Sequence, residues 1–325
     1  MSRAIDVPVI DLFPLATDNY NLKAKVVSQI HAASRSHGFF YVSGHRIDLD
    51  RLRNITTEFH RVLSDDEKQR IAIKAYNNKN THFRNGYYMY IPGKKAVESY
   101  CYLNPSFTSD HQAIKANLSL HEVNIWPQVP ISGLREFYES HYWEMFDLAT
   151  LLLRGYALAL GRDENYFGLY FKKIDTLSSV SLIRYPYLEK YPPVKKGQDG
   201  RELGFEDHLD VSLITILCQT SVDNLQVEYE GEWRDIPASK EHLLINAGTY
   251  MSHITNGYFH APNHRVKHIN AERLSLPYFV NLGNDSTIEP FFPFGVEGGI
   301  KNVPIPYGKF LNHGLHALIE KNGQT

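Results

Sequence analysis

The chain has 325 residues, 43% of them hydrophobic, with 34 basic and 36 acidic side chains and a formal net charge of −2. That length can bury a sizeable core, and all-β barrels with added helices often run this long as one unit, so a single domain spanning residues 1–325 is expected. The balanced charge, without a long basic run, leaves no electrostatic footprint for nucleic acid, and no stretch approaches the roughly eighteen consecutive apolar residues of a membrane span.

The N-terminus, Met1 to Val7, lacks the apolar stretch of a secretory signal. Val7 to Leu12 reads as a short strand. Leu22, Val26, Ile30 and Ala33 recur at helical spacing until Gly38, Phe39 to Val42 is strand-like, and Leu52, Ile55, Phe59 and Leu63 mark a second helix. Ser64-Asp65-Asp66-Glu67 has the form of a capping box that opens a third. The stretch from Asn78 to Ser109, with Arg84-Asn85-Gly86-Tyr87-Tyr88 and Lys94-Lys95 after Pro92-Gly93, suits a long loop or hairpin. The only cysteines are Cys101 and Cys218, with no Cys-x-x-Cys pair, which fits reduced thiols and a cytoplasmic location. A long amphipathic helix follows, from about Leu134 to Leu160, closed by Gly161.

From about Ser178 the pattern changes to short apolar runs between turn residues. Candidate strands are Ser179 to Tyr185, His208 to Cys218, Leu225 to Tyr229, Glu232 to Ile236, His242 to Asn246, Asn263 to His268 and Leu274 to Asn281. The expected fold is mainly β with flanking α-helices. Its core is a double-stranded β-helix, the cupin-like jelly roll, over about 178–285, with the helix-rich N-terminal half packed around it. Tyr307, Phe310, Leu311, Leu315 and Leu318 give a last helix before the tail.

Within the strand-rich half, His208-Leu209-Asp210 is answered by His264 and then by Arg273-Leu274-Ser275. Residues at i and i+2 of a strand share a face, so His208 and Asp210 can bite one metal from the entrance of the apolar run that follows. Two imidazoles and one carboxylate suit ferrous iron and leave coordination positions open. His253, His260 and His268 are rivals for the third position. Arg273 and Ser275 also share a face, where a guanidinium beside a hydroxyl makes a fork for a carboxylate, although Arg273 could instead pair with Glu272 at a solvated edge. An arginine on the Gly-Tyr-rich loop, Arg84, is a reasonable second anion anchor.

These elements resemble the non-haem iron and 2-oxoglutarate-dependent oxygenases. The blocks Arg84 to Tyr88, Gly93 to Ser99, Leu182 to Tyr187, Asp207 to Thr215, Asn270 to Asn281 and Lys321 to Thr325 are similar to the branch that cyclises a tripeptide. The resemblance implies that His208, Asp210 and His264 are the iron ligands. It implies that Arg273, Ser275 and Tyr185 hold the valine carboxylate of δ-(L-α-aminoadipoyl)-L-cysteinyl-D-valine, and that Arg84 and Ser179, with Tyr88 lining the channel, hold the distant aminoadipoyl carboxylate. Phe205 and Phe279 become apolar walls, although the residues alone leave Tyr88, Tyr185, Phe205 and Phe279 equally readable as core aromatics. Gln324 resembles a penultimate glutamine that occupies the iron before substrate arrives.

The implied reaction takes four hydrogens from the tripeptide and reduces O2 to two waters at Fe(II), without 2-oxoglutarate and with ascorbate as a reductant that keeps iron ferrous. A monomer is expected. A 2-oxoglutarate-dependent hydroxylase or ring expandase on the same fold is the alternative.

Overall fold

Phe39 and Tyr41 belong to one hydrophobic layer, while Phe40 and Val42, between and beyond them, belong to another. This strand is buried on both faces, which is why it reads as an unbroken apolar run rather than an alternating one. The same division repeats along the chain: Leu217 and Leu244 face the inner layer, and Ile216, Cys218, Leu243 and Ile245 face the outer one.

The computed structural model describes residues 4–321 apart from 92–95, 190–194, 221, 294, 297 and 300; Lys94-Lys95 and Gln324 lie outside the described residues. The first strands are β1 (Val9–Asp11), β2 (Phe39–Ser43), β3 (Gly86–Tyr88), β4 (Glu98–Leu103), β5 (Ser179–Tyr185) and β6 (Leu203–His208). They are followed by β7 (Ile214–Gln219), β8 (Leu225–Tyr229), β9 (Glu232–Asp235), β10 (Leu243–Ala247), β11 (His264–Lys267) and β12 (Arg273–Val280). The helices are α1 (Tyr20–Arg35), α2 (Leu49–Val62), α3 (Asp65–Arg70), α4 (Gln112–Lys115), α5 (Leu134–Ala159), α6 (Thr249–Ile254) and α7 (Tyr307–Lys321).

An eight-stranded sheet runs β1-β2-β10-β7-β12-β5-β4-β3, and a four-stranded sheet runs β6-β11-β8-β9. Together they form the expected jelly roll. The inner layer draws on both sheets, with Phe39, Tyr185, Leu217, Val227 and Val266, whereas the outer layer packs the large sheet on the helices through residues such as Tyr138, Tyr142, Leu152 and Tyr156 of α5. β1 and β2 from the N-terminal half are therefore part of the same sheet as β7, β10 and β12, and the 78–109 segment supplies the hairpin β3–β4 that extends it.

Helix starts follow local chemistry. Asn19, Asp48 and Ser64 each accept a backbone N–H three residues on, from Leu22, Arg51 and Glu67, which satisfies one of the first-turn donors that a helix leaves open. Only half of the predicted capping box forms, because Glu67 turns its carboxylate to Arg70. Leu22, expected inward, is exposed; the buried stripe of α1 is Val26, Ile30, Ala33 and Ser34.

One expectation needs correcting. The run from His208 to Cys218 is not a single strand: His208 ends β6, residues 209–213 turn, and β7 begins at Ile214 on the other sheet. Asp210 thus lies in a connection between sheets, where Thr249 N–H donates to its carbonyl and Gly248 N–H donates to that of Leu213. A Cβ on Gly248 would collide with the Ser212 carbonyl, so glycine is what lets the start of α6 approach this turn.

Candidate metal centre and substrate cavity

His208 at the end of β6 and His264 at the start of β11 are direct cross-strand partners, and their ring centroids lie 4.3 Å apart. Each ring is oriented by its own backbone. His208 Nδ1 donates to the Glu206 carbonyl at 2.8 Å and His264 Nδ1 to the Pro262 carbonyl at 3.0 Å. A carbonyl can only accept, so Nδ1 carries a proton and Nε2 is the nitrogen left to face a metal. Both Nε2 atoms face Asp210 Oδ1, at 3.8 Å from His208 and 3.6 Å from His264. Those separations are too long for hydrogen bonds. They bring three donor atoms to one point, all within 4.8 Å of one another.

Asp210 is 7% exposed, and its other oxygen, Oδ2, accepts from the Thr215 hydroxyl at 2.7 Å and the Asn246 amide at 3.0 Å. Burial alone would raise this carboxyl, but His264, His208 and the Asn246 and Thr215 donors outweigh it and hold the group below its usual value. The centre offers two imidazole nitrogens and one carboxylate oxygen, a set that fits Fe(II) with positions left for exogenous ligands. Among the described residues this is the one cluster that brings three such groups together. His253 instead bonds the Val303 carbonyl from α6, and neither His260 nor His268 joins the cluster.

The triad opens into a cavity of about 510 Å³. Every predicted site residue other than Gln324 lines it: Arg84, Tyr88, Ser179, Tyr185, Phe205, Arg273, Ser275 and Phe279 join the three candidate ligands. Leu311 and Leu315 of α7 line it as well. Arg273 is 1% exposed, its guanidinium lies 4.9 Å from the Tyr185 ring centroid, and its Nε and Nη1 have no hydrogen-bond partner. Burial works against its charge. A buried cation with unspent donors in a cavity wall is a fitted seat for an anion. Glu272, its sequence rival, pairs with Arg184 at 2.8 Å instead.

Arg84 is held more tightly than expected. Its guanidinium donates to the carbonyls of Leu120 at 2.8 Å and Leu177 at 2.7 Å, and the Glu122 carboxylate receives the backbone N–H groups of Phe83, Arg84 and Asn85. Two of five guanidinium hydrogens are thereby engaged, leaving others for a ligand. Cys101 also lines the cavity, but burial pushes its thiol up to about 11, so it stays protonated and inert at neutral pH. Both cysteines are free and buried.

Sequence reasoning passed over Thr215 and Asn246, which fix the Asp210 carboxylate. The available signal was a polar side chain set in an otherwise apolar strand, Ile214-Thr215-Ile216-Leu217 and Leu243-Leu244-Ile245-Asn246.

Residues 177–282 match the 2OG-Fe(II) oxygenase superfamily, and residues 7–129 match the family described as non-haem dioxygenase in morphine synthesis, N-terminal. Among solved structures, a full-length Neurospora crassa protein in complex with alpha-KG superimposes with a TM-score of 0.79 over 98% of this chain and 99% of that one, at 20% identity. A dioxygenase for auxin oxidation in rice gives a TM-score of 0.68 over 98% and 96%, at 20% identity. At such identities the likeness is one of fold. Jelly roll and triad together define a non-haem iron oxidoreductase of the 2OG-Fe(II) oxygenase fold, with Fe(II) as its metal.

Sequence relatives narrow the class. The chain is 58% identical over 321 residues to the isopenicillin N synthase of Streptomyces jumonjinensis, covering 98% of each, and 53% identical over 324 residues to that of Penicillium rubens, again covering 98% of each. The chain belongs to the isopenicillin N synthase family.

Proposed function

We propose that this enzyme oxidises δ-(L-α-aminoadipoyl)-L-cysteinyl-D-valine to isopenicillin N, closing both rings, in penicillin and cephalosporin biosynthesis. Identity of 53–58% along nearly the whole chain to relatives named for that activity supports the reading. The single structural observation that carries it is the fully buried Arg273, with two unpartnered donors, in the wall of the same cavity as the His208–Asp210–His264 cluster.

In this reading His208, Asp210 and His264 hold the iron. Fe(II) bound by these three residues would supply the oxygen-activating chemistry by which four hydrogens leave the tripeptide and dioxygen becomes two waters. Thr215 and Asn246 keep Asp210 ionised and aimed. Arg273, Ser275 and Tyr185 grip the valine carboxylate, and Arg84, Ser179 and Tyr88 receive the aminoadipoyl end. Anchoring both ends restricts the peptide between them to few poses, which is how an enzyme selects one C–H bond over its neighbours. Phe205, whose ring lies 4.7 Å from that of His208, and Phe279 keep water from the reacting atoms. Gln324 serves as a ligand before substrate arrives, and ascorbate keeps the iron ferrous. The chain works as one unit of residues 1–325, as a monomer in the cytoplasm.

Oxygen uptake by the Fe(II)-loaded enzyme tests the reading. Uptake is expected with the tripeptide alone. Uptake that needs 2-oxoglutarate would assign Arg273 and Ser275 to that acid instead and make the enzyme a hydroxylase or ring expandase.

A further inference from the structure

Gln219 closes β7, in register with Ser275 of β12, which places its side chain on the same face of the sheet as Ser275 and beside the row formed by Arg273 and Tyr185. It is 1% exposed, as Arg273 is, but unlike Arg273 it is absent from the cavity lining, so it stands behind the wall rather than in it. Burying a primary amide costs free energy unless its donors and acceptor are used. Here both ends are used. Gln219 Oε1 accepts from Arg273 Nη2 at 3.4 Å, and Gln219 Nε2 donates to the Tyr41 hydroxyl oxygen at 3.4 Å.

The direction of this chain is fixed by chemistry. Tyr41 has one hydroxyl hydrogen, and it goes to the Pro237 carbonyl, so the Tyr41 oxygen can only accept from Gln219. The amide nitrogen must then face Tyr41 and the amide oxygen must face Arg273, whose guanidinium has only donors. Tyr41 and Pro237 thus set the orientation of Gln219, and Gln219 pins one corner of a planar ion. Pinning that corner determines where the remaining Nε and Nη1 donors point, and these are the ones left without protein partners.

We propose that Gln219 is a positioning residue for carboxylate recognition: through the Pro237–Tyr41–Gln219 relay it holds the Arg273 guanidinium in the orientation that presents its unspent donors to the substrate's terminal carboxylate. The inference rests on the proposed role of Arg273. An acceptor without charge is the suitable device, because a carboxylate at position 219 would neutralise Arg273 and compete with the substrate for it.

The test uses the full chain and two tripeptides, the natural one and its C-terminal primary amide, with dissociation constants measured by calorimetry on metal-free protein. The parent is expected to prefer the carboxylate. Gln219→Met, similar in volume but without an acceptor for Arg273, should weaken binding of the carboxylate form by about five- to tenfold, as expected for the loss of one ordinary hydrogen bond, and leave the amide form unchanged. Gln219→Glu should weaken the carboxylate form further and spare the amide form. Tyr41→Phe, which removes only the relay's hydroxyl, should shift the same preference in the same direction and by less, and it carries the test if the Gln219 variants do not fold. With iron, the loss should fall on KM rather than kcat.

Variants that keep the parent's preference, or that lose affinity for both tripeptides equally, would overturn the role of Gln219 while leaving the Arg273 clamp intact. A parent that binds both forms equally would overturn the clamp and the role of Gln219 with it.

Discussion

Asn246 and Thr215 stand opposite one another on the antiparallel strands β10 and β7, and both donate to the same oxygen of Asp210. The metal-facing carboxylate, carried on an irregular turn, is aimed by two residues of regular sheet. Precision at the site therefore comes from the strands beneath the turn rather than from the turn itself.

Removing one of these donors should loosen the ligand without deleting it. Asn246→Ala is expected to weaken Fe(II) affinity by about 10- to 100-fold, while Asp210→Ala abolishes turnover and most metal binding. Metal titration of the two variants ranks them. Equal affinity in Asn246→Ala and the parent would show that Thr215 alone suffices.

Gly248 makes a related prediction at the backbone. A Cβ there meets the Ser212 carbonyl and hydroxyl, so Gly248→Ala must displace either α6 or the turn bearing Asp210. A lower thermal midpoint together with weaker metal binding is expected. A variant that loses stability but binds metal normally would place the displacement in α6.

Arg84→Ala should have two effects. The carbonyls of Leu120 and Leu177 lose buried donors, which costs about 1–3 kcal/mol for each group left unsatisfied, and the tripeptide loses an anchor. Expected are a lower melting temperature and a higher KM with the metal content unchanged. An unchanged KM would confine Arg84 to a structural role.

Acid stability should depend on two histidines remote from the metal. Burial lowers His60 and His141 to about 4 from an ordinary value of 6.5, and both stay neutral in the fold. Between pH 6.5 and 4 the unfolded chain takes up protons that the native state refuses, so their contribution is intact above 6.5 and is lost as pH falls to 4. Each contributes on the order of a few kcal/mol across that window. His141→Gln should flatten the decline of the thermal midpoint between pH 6.5 and 4.5, and an unchanged slope would exclude His141 as a cause.

Much of this was legible in the chain. Strands such as Ser179–Tyr185 and Leu225–Tyr229 fall where β-branched and aromatic runs end in turn residues, and α5 stops where Gly161 takes a positive φ. The turn after His208 was not legible, because Val211 to Cys218 is largely apolar and composition cannot separate a buried turn from a buried strand. The ligand spacing was read correctly for a partly wrong reason: His208 and Asp210 meet because the chain crosses between sheets, not because they share a strand face. The strand Leu203–His208 and the helix Thr249–Ile254 were missed, being short and defined by their packing partners rather than by periodicity. The contacts of Gln219 and Asn246 depend on register across the sheet, which no local pattern encodes.

The most direct test is a single turnover under labelled oxygen. Enzyme loaded anaerobically with Fe(II) and tripeptide, without 2-oxoglutarate, is exposed to ¹⁸O₂, and product and water are analysed by mass. One dioxygen should be consumed per tripeptide, the product should be four hydrogens lighter than the substrate, and the label should appear only in water. Label in the product, or no turnover until 2-oxoglutarate is added, would contradict a four-electron oxidation at the His208–Asp210–His264 centre.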